Sequence, residues 1–299
     1  MTEPLIIETV DLRKNYGTVE ALRGLNLRVP KGSIYGFLGR NGAGKTTTIK
    51  TLLGMARPAS GQARVFGLAA DARDASVQIR SRTGFVSEDK DLLDEMTVEE
   101  MIRFTASFYS SWRADLERRY RQSFELALDR RVKDLSRGTR TKLALLLALC
   151  RGAELLILDE PTSGLDPSVI EEVLQAIVAH VGGEELTVFF SSHQIAEVEQ
   201  IADRVTIIDR GREVVSGALD DLRENYRRIR LVFEGEAPSP AFRAPGVVRV
   251  ERNGRLLTVL ANAGAGPIVE EARALEAVSV DVVPVTLKEI FLETVREEN

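Results

Sequence analysis

The sequence predicts an α/β protein in which a mostly parallel β-sheet is covered by helices, with an antiparallel β edge, an inserted helical subdomain and a small C-terminal α+β domain. Short apolar runs of the buried type alternate with helical patterns such as that of residues 169–180, which is typical of parallel sheets. A long stretch without strand signals follows residue 97, and a hairpin signal lies near the end. The strand-like runs are residues 84–86, 155–158, 187–190 and 205–208.

The first 54 residues predict a hairpin followed by a strand, a glycine-rich loop and a helix. Residues 5–12 are largely apolar, and apolar residues then alternate up to the turn Pro30-Lys31-Gly32, which indicates an antiparallel start. The apolar run 34–38 stops at Gly39, and helical spacing begins at Thr46 and ends before Gly54.

The middle of the chain predicts the helical insert, over about residues 90–150. Apolar residues recur there at intervals of three and four, as in Met101, Phe104, Thr105 and Phe108. Some of the insert's large apolar side chains, which include Met96 and Trp112, are candidates for a groove that receives a short helix of a membrane subunit, although most are expected to form core.

The last part of the chain predicts the α+β domain. Pro238, Pro240 and Pro245 mark a boundary region, and Asn253-Gly254 between residues 247–250 and 256–260 is a hairpin signal. A helix, a strand and a helix are expected over 267–275, 278–283 and 287–295. We therefore expect a first domain at residues 1–222 and an accessory domain at 223–299.

Composition excludes several classes of protein. The net charge of −5 and pI near 5.4 argue against wholesale nucleic-acid binding, so no nucleic-acid partner is expected. The only cysteine, Cys150, predicts a buried thiol without an internal disulfide. The N-terminal residues include Glu3 and Glu8 and do not resemble a secretory signal, and apolar runs are far shorter than the roughly 20 residues of a membrane span. We expect a cytoplasmic protein whose membrane role depends on a partner.

The glycine-rich loop predicts a triphosphate-binding site. It fits the pattern G-x-x-x-x-G-K-[ST], whose backbone amides surround phosphates at a helix N-terminus, so the core is expected to be that of a phosphate-loop NTPase. Lys45 is expected to reach the outer phosphates and Thr46 to bind Mg²⁺. A chance match in a chain of this length occurs roughly once in a hundred. The predicted nucleotide-binding residues here are Gly39, Arg40, Asn41, Gly42, Ala43, Gly44, Lys45, Thr46 and Thr47.

Two carboxylates follow the apolar run 155–158. Asp159, at the end of a buried strand, is predicted to orient the magnesium shell. Glu160 is predicted to polarise a water molecule in line with the γ-phosphate, as a general base. The alternative, a solvated acidic loop, leaves the pairing with the phosphate loop unexplained.

Several motifs, in their order, resemble those of the nucleotide-binding subunits of ABC transporters, over about residues 6–219. The run Leu-Ser-Arg-Gly-Thr at 135–139 resembles the signature motif, and Ser-Gly-Leu-Asp at 163–166 resembles the D-loop. His193 resembles the switch histidine, Tyr16 the aromatic residue that stacks on adenine, and Glu88 stands where the family has the Q-loop glutamine. Alone, His193 also fits a helix cap and Tyr16 an edge-strand aromatic.

The resemblance implies a head-to-tail dimer in which ATP lies between the phosphate loop of one copy and the signature motif of the other. It implies γ-phosphate contacts for Ser136 and Gly138 across the interface, a catalytic γ-phosphate contact for His193, and a place for Asp166 at the nucleotide. Arg137 and Thr139 depart from the usual signature motif. Glu88 keeps the capacity to bind Mg²⁺ but adds a negative charge.

The implied function is an ATP-hydrolysing subunit that powers a separate membrane permease. The C-terminal run Pro-Val-Thr-Leu-Lys-Glu-Ile-Phe-Leu-Glu at 284–293 resembles the tail of ABC-2-type antibiotic and multidrug exporter ATPases, which weakens an importer assignment. A soluble ABC ATPase acting on the ribosome or DNA is the alternative, but one cassette and no heptad tract are present. A GTPase or small-molecule kinase is disfavoured because the sequence lacks an N-K-x-D motif.

Overall fold

The computed structural model describes residues 3–181, 186–239, 242–263 and 265–295. The chain divides into two compact units, Met1–Ser216 and Gly217–Asn299. The boundary expected from the sequence, at residue 222, lies a few residues later.

The first unit begins with an antiparallel sheet, in agreement with the sequence. Leu12 and Leu25 face each other in its first hairpin, and both are fully buried. The strand order is β2-β1-β4-β5. The strands are β1 (Leu5–Tyr16), β2 (Val19–Pro30), β4 (Ser60–Val65) and β5 (Leu68–Ala69), with β3 (Ile34–Gly39) and helix α1 (Lys45–Leu52) between β2 and β4.

A six-stranded sheet forms the centre of this unit, and the predicted parallel arrangement is confirmed. β3 pairs in parallel with strands on both sides, and every residue of its range is buried. Buried apolar strands of this kind require cover on both faces. The remaining elements are α2 (Arg73–Arg82), β6 (Thr83–Val86), β7 (Leu155–Asp159), α6 (Pro167–Val181), β8 (Thr187–Ser192), α7 (Ile195–Ile201), β9 (Arg204–Asp209) and β10 (Arg212–Ala218).

The strand order β10-β9-β3-β8-β7-β6 determines where the polar loops meet. β3, β8 and β7 are neighbours and run in the same direction. Their carboxyl ends therefore lie at one edge of the sheet, which is where open α/β sheets bind ligands. The glycine-rich loop, Glu160 and His193 follow these three ends, and Asp159 is the last residue of β7.

The insert is helical, as predicted. Thr97 begins its first helix with a capping box, because its hydroxyl accepts from the Glu100 amide while the Glu100 carboxylate accepts from the Thr97 amide. Cys150 ends the last helix and is buried, as expected. The elements are α3 (Val98–Ala106), α4 (Ala114–Ser123), a 3₁₀ turn (Val132–Asp134) and α5 (Arg137–Leu149).

The second unit is a small α+β fold with a four-stranded antiparallel sheet, ordered β12-β13-β11-β14. The predicted hairpin is present, but its two turn residues are Gly254, at φ 56°, and Arg255, because Asn253 is the last residue of its strand and pairs with Leu256. Buried Ile229, Leu257 and Ile268 contribute to its core. Its elements are α8 (Leu219–Asn225), β11 (Arg227–Val232), β12 (Val247–Asn253), β13 (Leu256–Ala261), α9 (Gly266–Arg273), β14 (Ser279–Pro284) and α10 (Leu287–Thr294).

Strand β11 corrects the interpretation of the prolines as a boundary. Pro238 and Pro245 follow β11 within this unit, and Pro240 lies outside the described residues. β11 escaped prediction because its arginines alternate with only two buried apolar residues, Ile229 and Leu231, so it lacks a continuous apolar run.

Candidate nucleotide-binding site

The glycine-rich loop joins β3 directly to α1. The Lys45 ammonium turns back over the loop and donates to the carbonyl oxygens of Gly39 at 2.7 Å and Arg40 at 3.3 Å. The Ala43 amide also donates to the Arg40 carbonyl oxygen, at 3.1 Å. Gly44 has φ 109°, and a Cβ there would lie 2.8 Å from the Ala21 carbonyl oxygen. Only glycine suits this position.

A cleft of about 440 Å³ lies beside the loop, within the usual size range of small-molecule sites. Much of the predicted phosphate loop lines this cleft, together with Glu88 and Glu160. Two cations, Arg23 and Arg210, also line it and were not predicted, because nothing in their spacing distinguishes them from surface arginines. The lining residues are Val19, Glu20, Ala21, Arg23, Asn41, Gly42, Gly44, Lys45, Thr46, Thr47, Glu88, Glu160 and Arg210.

Glu160 is held by both of its carboxylate oxygens. Oε1 lies 3.0 Å from the Lys45 ammonium, and both side chains are 6% exposed. The Lys45 ammonium and Oε1 are not aligned for a hydrogen bond, so their contact is an ion pair only. Oε2 lies 2.7 Å from Nδ1 of His193. The Glu160 carboxylate is therefore fixed between an ammonium and an imidazole at the wall of the cleft.

The neighbouring Asp159 is fixed by a residue that was not predicted. The Ser191 hydroxyl donates to Oδ1 of Asp159 at 2.7 Å and accepts from the Glu160 amide at 3.0 Å. Ser191 is fully buried at the end of β8. The sequence offered one signal for this role: Ser191 is a polar residue in a buried, largely apolar strand, where a hydroxyl needs hydrogen-bond partners.

Two buried charged residues flank this centre, and neither was predicted. The Lys90 ammonium donates to the Glu160 carbonyl oxygen at 3.1 Å, and burial, followed by the charge of Arg137, lowers its pKa. Glu197 accepts from the hydroxyls of Thr162 at 2.6 Å and Ser192 at 2.9 Å. Burial raises the pKa of the Glu197 carboxyl.

Tyr16 lies at the tip of the first hairpin, opposite the cleft-lining Val19. The residue is 49% exposed, and the Lys14 ammonium lies 4.9 Å from the centroid of its ring. Tyr16 itself is not among the cleft-lining residues that the structure describes.

The residues that resemble the signature motif and the D-loop form a second surface. Ser136 caps α5 by accepting from the Thr139 amide at 3.1 Å. Gly138 lies against Val169 of α6, and the Arg137 guanidinium lies against Gly164. Within the described chain, Ser136, Gly138 and Asp166 do not line the cleft beside their own phosphate loop.

The fold and the cleft define the class of the protein as a phosphate-loop nucleoside triphosphatase. The family model described as ABC transporter matches residues 22–163. The bacitracin transport ATP-binding protein BcrA of Bacillus licheniformis is 37% identical over 225 residues, which cover 75% of this chain and 73% of that protein. The chain therefore belongs to the ATP-binding subunits of ABC transporters, and it is an ATP-hydrolysing enzyme. The resemblance stated from the motifs is confirmed.

Further relatives agree with this assignment. The Nod factor export ATP-binding protein I of Cupriavidus pinatubonensis is 36% identical over 225 residues, 73% of this chain and 67% of that protein. A solved structure of an ATP-binding subunit of an ABC transporter has a TM-score of 0.66 and 30% identity, covering 73% of this chain and 92% of its own. Within the described parts of the chain, no helix combines the length and apolar character needed to cross a membrane.

Proposed function

We propose that this protein is the ATPase subunit of an ABC exporter and that it powers a separate membrane permease from the cytoplasmic side. The observation that carries the ATPase part of the proposal is the fixed carboxylate of Glu160, held between Lys45 and His193 at the wall of the cleft. The names of relatives, which include a bacitracin transport protein and a Nod factor export protein, support export.

In this proposal, ATP lies with its phosphates on the loop from Gly39 to Thr47 and its γ-phosphate near Glu160. Glu160 acts as the general base toward water, while His193 orients Glu160 and contacts the γ-phosphate. Tyr16 stacks on the adenine. The hairpin tip favours this role, since Val19, opposite Tyr16, lines the same cleft.

We infer that Mg²⁺ accompanies ATP, with Thr46, Asp159 and Glu88 as its protein ligands. No three His, Cys, Asp or Glu side chains form a metal-binding group among the described residues. This fits Mg²⁺, which uses few protein ligands and completes its shell with phosphate oxygens and water. The ion would neutralise charge on the β- and γ-phosphates.

A second copy of the chain would complete the site. Ser136, Gly138 and Asp166 lie on a surface apart from the cleft, and the exposed Ser136 hydroxyl stands at a helix N-terminus, where anions bind favourably. In a two-fold dimer each copy would present this surface to the ATP of the other.

The permease would dock on the helical insert. Two adjoining depressions, which we call the insert groove, lie between the insert and residues 53–87. They are lined mainly by apolar side chains, with charged residues such as Lys90 and Asp91 among them, and they share Phe85 and Arg151. Phe108, 67% exposed, packs edge to face on Phe104 at 5.1 Å between ring centroids. Met101 also lines the groove but is almost buried, so it belongs mainly to the core. The groove is lined by Leu53, Met55, Val77, Arg80, Ser81, Thr83, Phe85, Val86, Ser87, Lys90, Asp91, Leu92, Met101, Thr105, Phe108, Tyr109, Ala144, Leu147, Ala148 and Arg151.

Exposed apolar area of this kind indicates a protein partner, and its concave shape suits a short helix. The test is co-purification of the tagged full chain from detergent-solubilised membranes. Phe108→Asp should lose a multispanning protein while keeping ATP turnover. Val278→Asp, at a residue 63% exposed in the second unit, is the matched control and should retain it. Recovery of ribosomes or DNA in place of a membrane protein would overturn the proposal.

A further inference from the structure

We propose that Lys90 is a positioning residue that holds the backbone of Glu160 and connects it to the insert groove. The proposal rests on the proposed function for the groove and on the fixed carboxylate of Glu160. Its central observation is that one buried side chain borders the groove and hydrogen-bonds to the residue that carries the general base.

The ammonium of Lys90 lies in an unusual place. The side chain is 3% exposed, and Nζ donates to the carbonyl oxygens of Glu88 at 2.9 Å and Glu160 at 3.1 Å. In the described part of the chain, its hydrogen bonds go to carbonyl oxygens and no ion pair joins it to a carboxylate. Burial of a cation is costly unless it is well bonded, so a neutral residue would be the cheaper choice for packing alone.

Glu160 needs such a support because its backbone is strained. It has φ 46°, in the left-handed region that residues with a Cβ rarely adopt. The Ser191 hydroxyl accepts from its amide, and its carbonyl accepts from Lys90 at 3.1 Å and from the Ser163 amide at 3.3 Å, so the peptide groups on both sides of Glu160 are fixed. Lys90 supplies the shorter of the two bonds to the carbonyl. Its side chain is thereby directed at Lys45 and His193. Strain that is held by its surroundings is common at functional sites.

The backbone of Lys90 is hydrogen-bonded to a helix of the insert. Its carbonyl oxygen accepts from Nε of Arg140, on α5, at 3.1 Å. Arg140 also donates to the Leu92 carbonyl at 3.3 Å and pairs with Asp94 at 2.7 Å. Lys90 borders the groove together with Met101 and Ala144. A helix that docks there and displaces residues 87–92 would therefore change the support of the Glu160 carbonyl.

The test compares Lys90→Met with the unchanged full chain. Methionine keeps the apolar stem and removes the three donors. Because small displacements of a catalytic group have large kinetic effects, kcat for ATP should fall by about 10- to 100-fold. The affinity for ATP should change by less than about twofold, since Lys90 does not line the nucleotide cleft. Lys133→Met, at an exposed lysine of the same insert, is the control and should keep kcat.

A second arm separates positioning from a general structural role. In the Glu160→Gln background, Lys90→Met should leave the residual turnover unchanged, because its effect passes through the Glu160 carboxylate. An unaltered kcat in Lys90→Met, or a further multiplicative loss in the double variant, would overturn the proposal. If Lys90→Met fails to fold, Lys90→Leu, which also removes the donors, replaces it, and an unaltered kcat there contradicts the proposal equally.

The link to the groove has its own readout. With a co-purified permease, the ratio of stimulated to basal turnover should fall toward one in Lys90→Met. If the unchanged chain turns over ATP but no permease stimulates it, the exporter proposal fails while the basal arm still tests the support of Glu160. If stimulation of Lys90→Met equals that of the unchanged chain, the link to the groove is wrong.

Discussion

The ammonium of Lys45 and the carboxylate of Glu160 lie 3.0 Å apart, with both side chains almost buried. The two residues belong to different segments of the chain, since Lys45 begins α1 and Glu160 follows β7. The contact joins the group that is expected to bind phosphate to the group that is expected to activate water. Substitution of either residue therefore changes the electrostatic surroundings of the other.

Glu160→Gln should bind ATP and barely hydrolyse it. The amide is almost the same size as the carboxylate but cannot accept a proton from water, so kcat should fall by about 10²- to 10⁴-fold. Turnover and ATP binding are measured separately, by phosphate release and by equilibrium titration. Glu154→Gln, at an exposed carboxylate that pairs with Arg82, is the control. Turnover close to that of the unchanged chain in Glu160→Gln would rule out the general-base role.

Lys45→Ala should act mainly on binding. It removes the ammonium expected at the outer phosphates, so the dissociation constant for ATP should rise at least about tenfold, or about 1.4 kcal/mol. Isothermal titration with ATP measures this. Lys50→Ala, at an exposed lysine of the same helix, should bind ATP normally. Unchanged ATP affinity in Lys45→Ala would contradict the predicted phosphate contact.

Gly44→Ala should abolish ATP binding through the backbone. The new Cβ would lie 2.8 Å from the Ala21 carbonyl oxygen and 2.9 Å from Leu22, which displaces the loop from the cleft. Gly32→Ala is the matched control because Gly32 has φ 79° with nothing within 4 Å of a Cβ. That variant should lose about 1 kcal/mol of stability by strain alone and keep ATP affinity. Equal affinity in the two variants would show that the contact with Ala21 is unimportant.

The parts of the site that the sequence predicted are those whose residues are adjacent in the chain. The loop from Gly39 to Thr47 and the pair Asp159-Glu160 can be recognised from the spacing of their residues along the chain. Lys90 and Ser191 were not predicted because their contacts with Glu160 depend on which strands are neighbours, and spacing within the chain does not give that order. The same limit applies to the fold: alternating apolar runs predict a parallel sheet, but the order β3-β8-β7 required the structure.

Glu197→Gln should stabilise the protein increasingly as pH rises. Burial raises the pKa of this carboxyl above its ordinary 4.5, the charge of Glu160 adds to this, and hydrogen bonds from Thr162 and Ser192 and the charge of His193 oppose it. A pKa raised in the folded state means that the neutral carboxyl favours folding below about pH 4.5 and that this stability is lost as pH rises through the folded pKa.

Glutamine stays neutral, its oxygen can accept from the same two hydroxyls, and its amide replaces Oε1, a buried oxygen to which no described residue donates a hydrogen bond. The difference in Tm, variant minus unchanged chain, should therefore grow between pH 5 and pH 8 when measured by differential scanning fluorimetry. Glu171→Gln is the control, because hydrogen bonds from Gln200 and Gln175 lower the pKa of that carboxyl. The stability it contributes is complete above about pH 4.5 and is lost only at lower pH, so the Tm difference of this variant should stay nearly constant between pH 5 and pH 8. A difference for Glu197→Gln that is constant or shrinks with pH would mean that the carboxyl is charged in the fold at little cost.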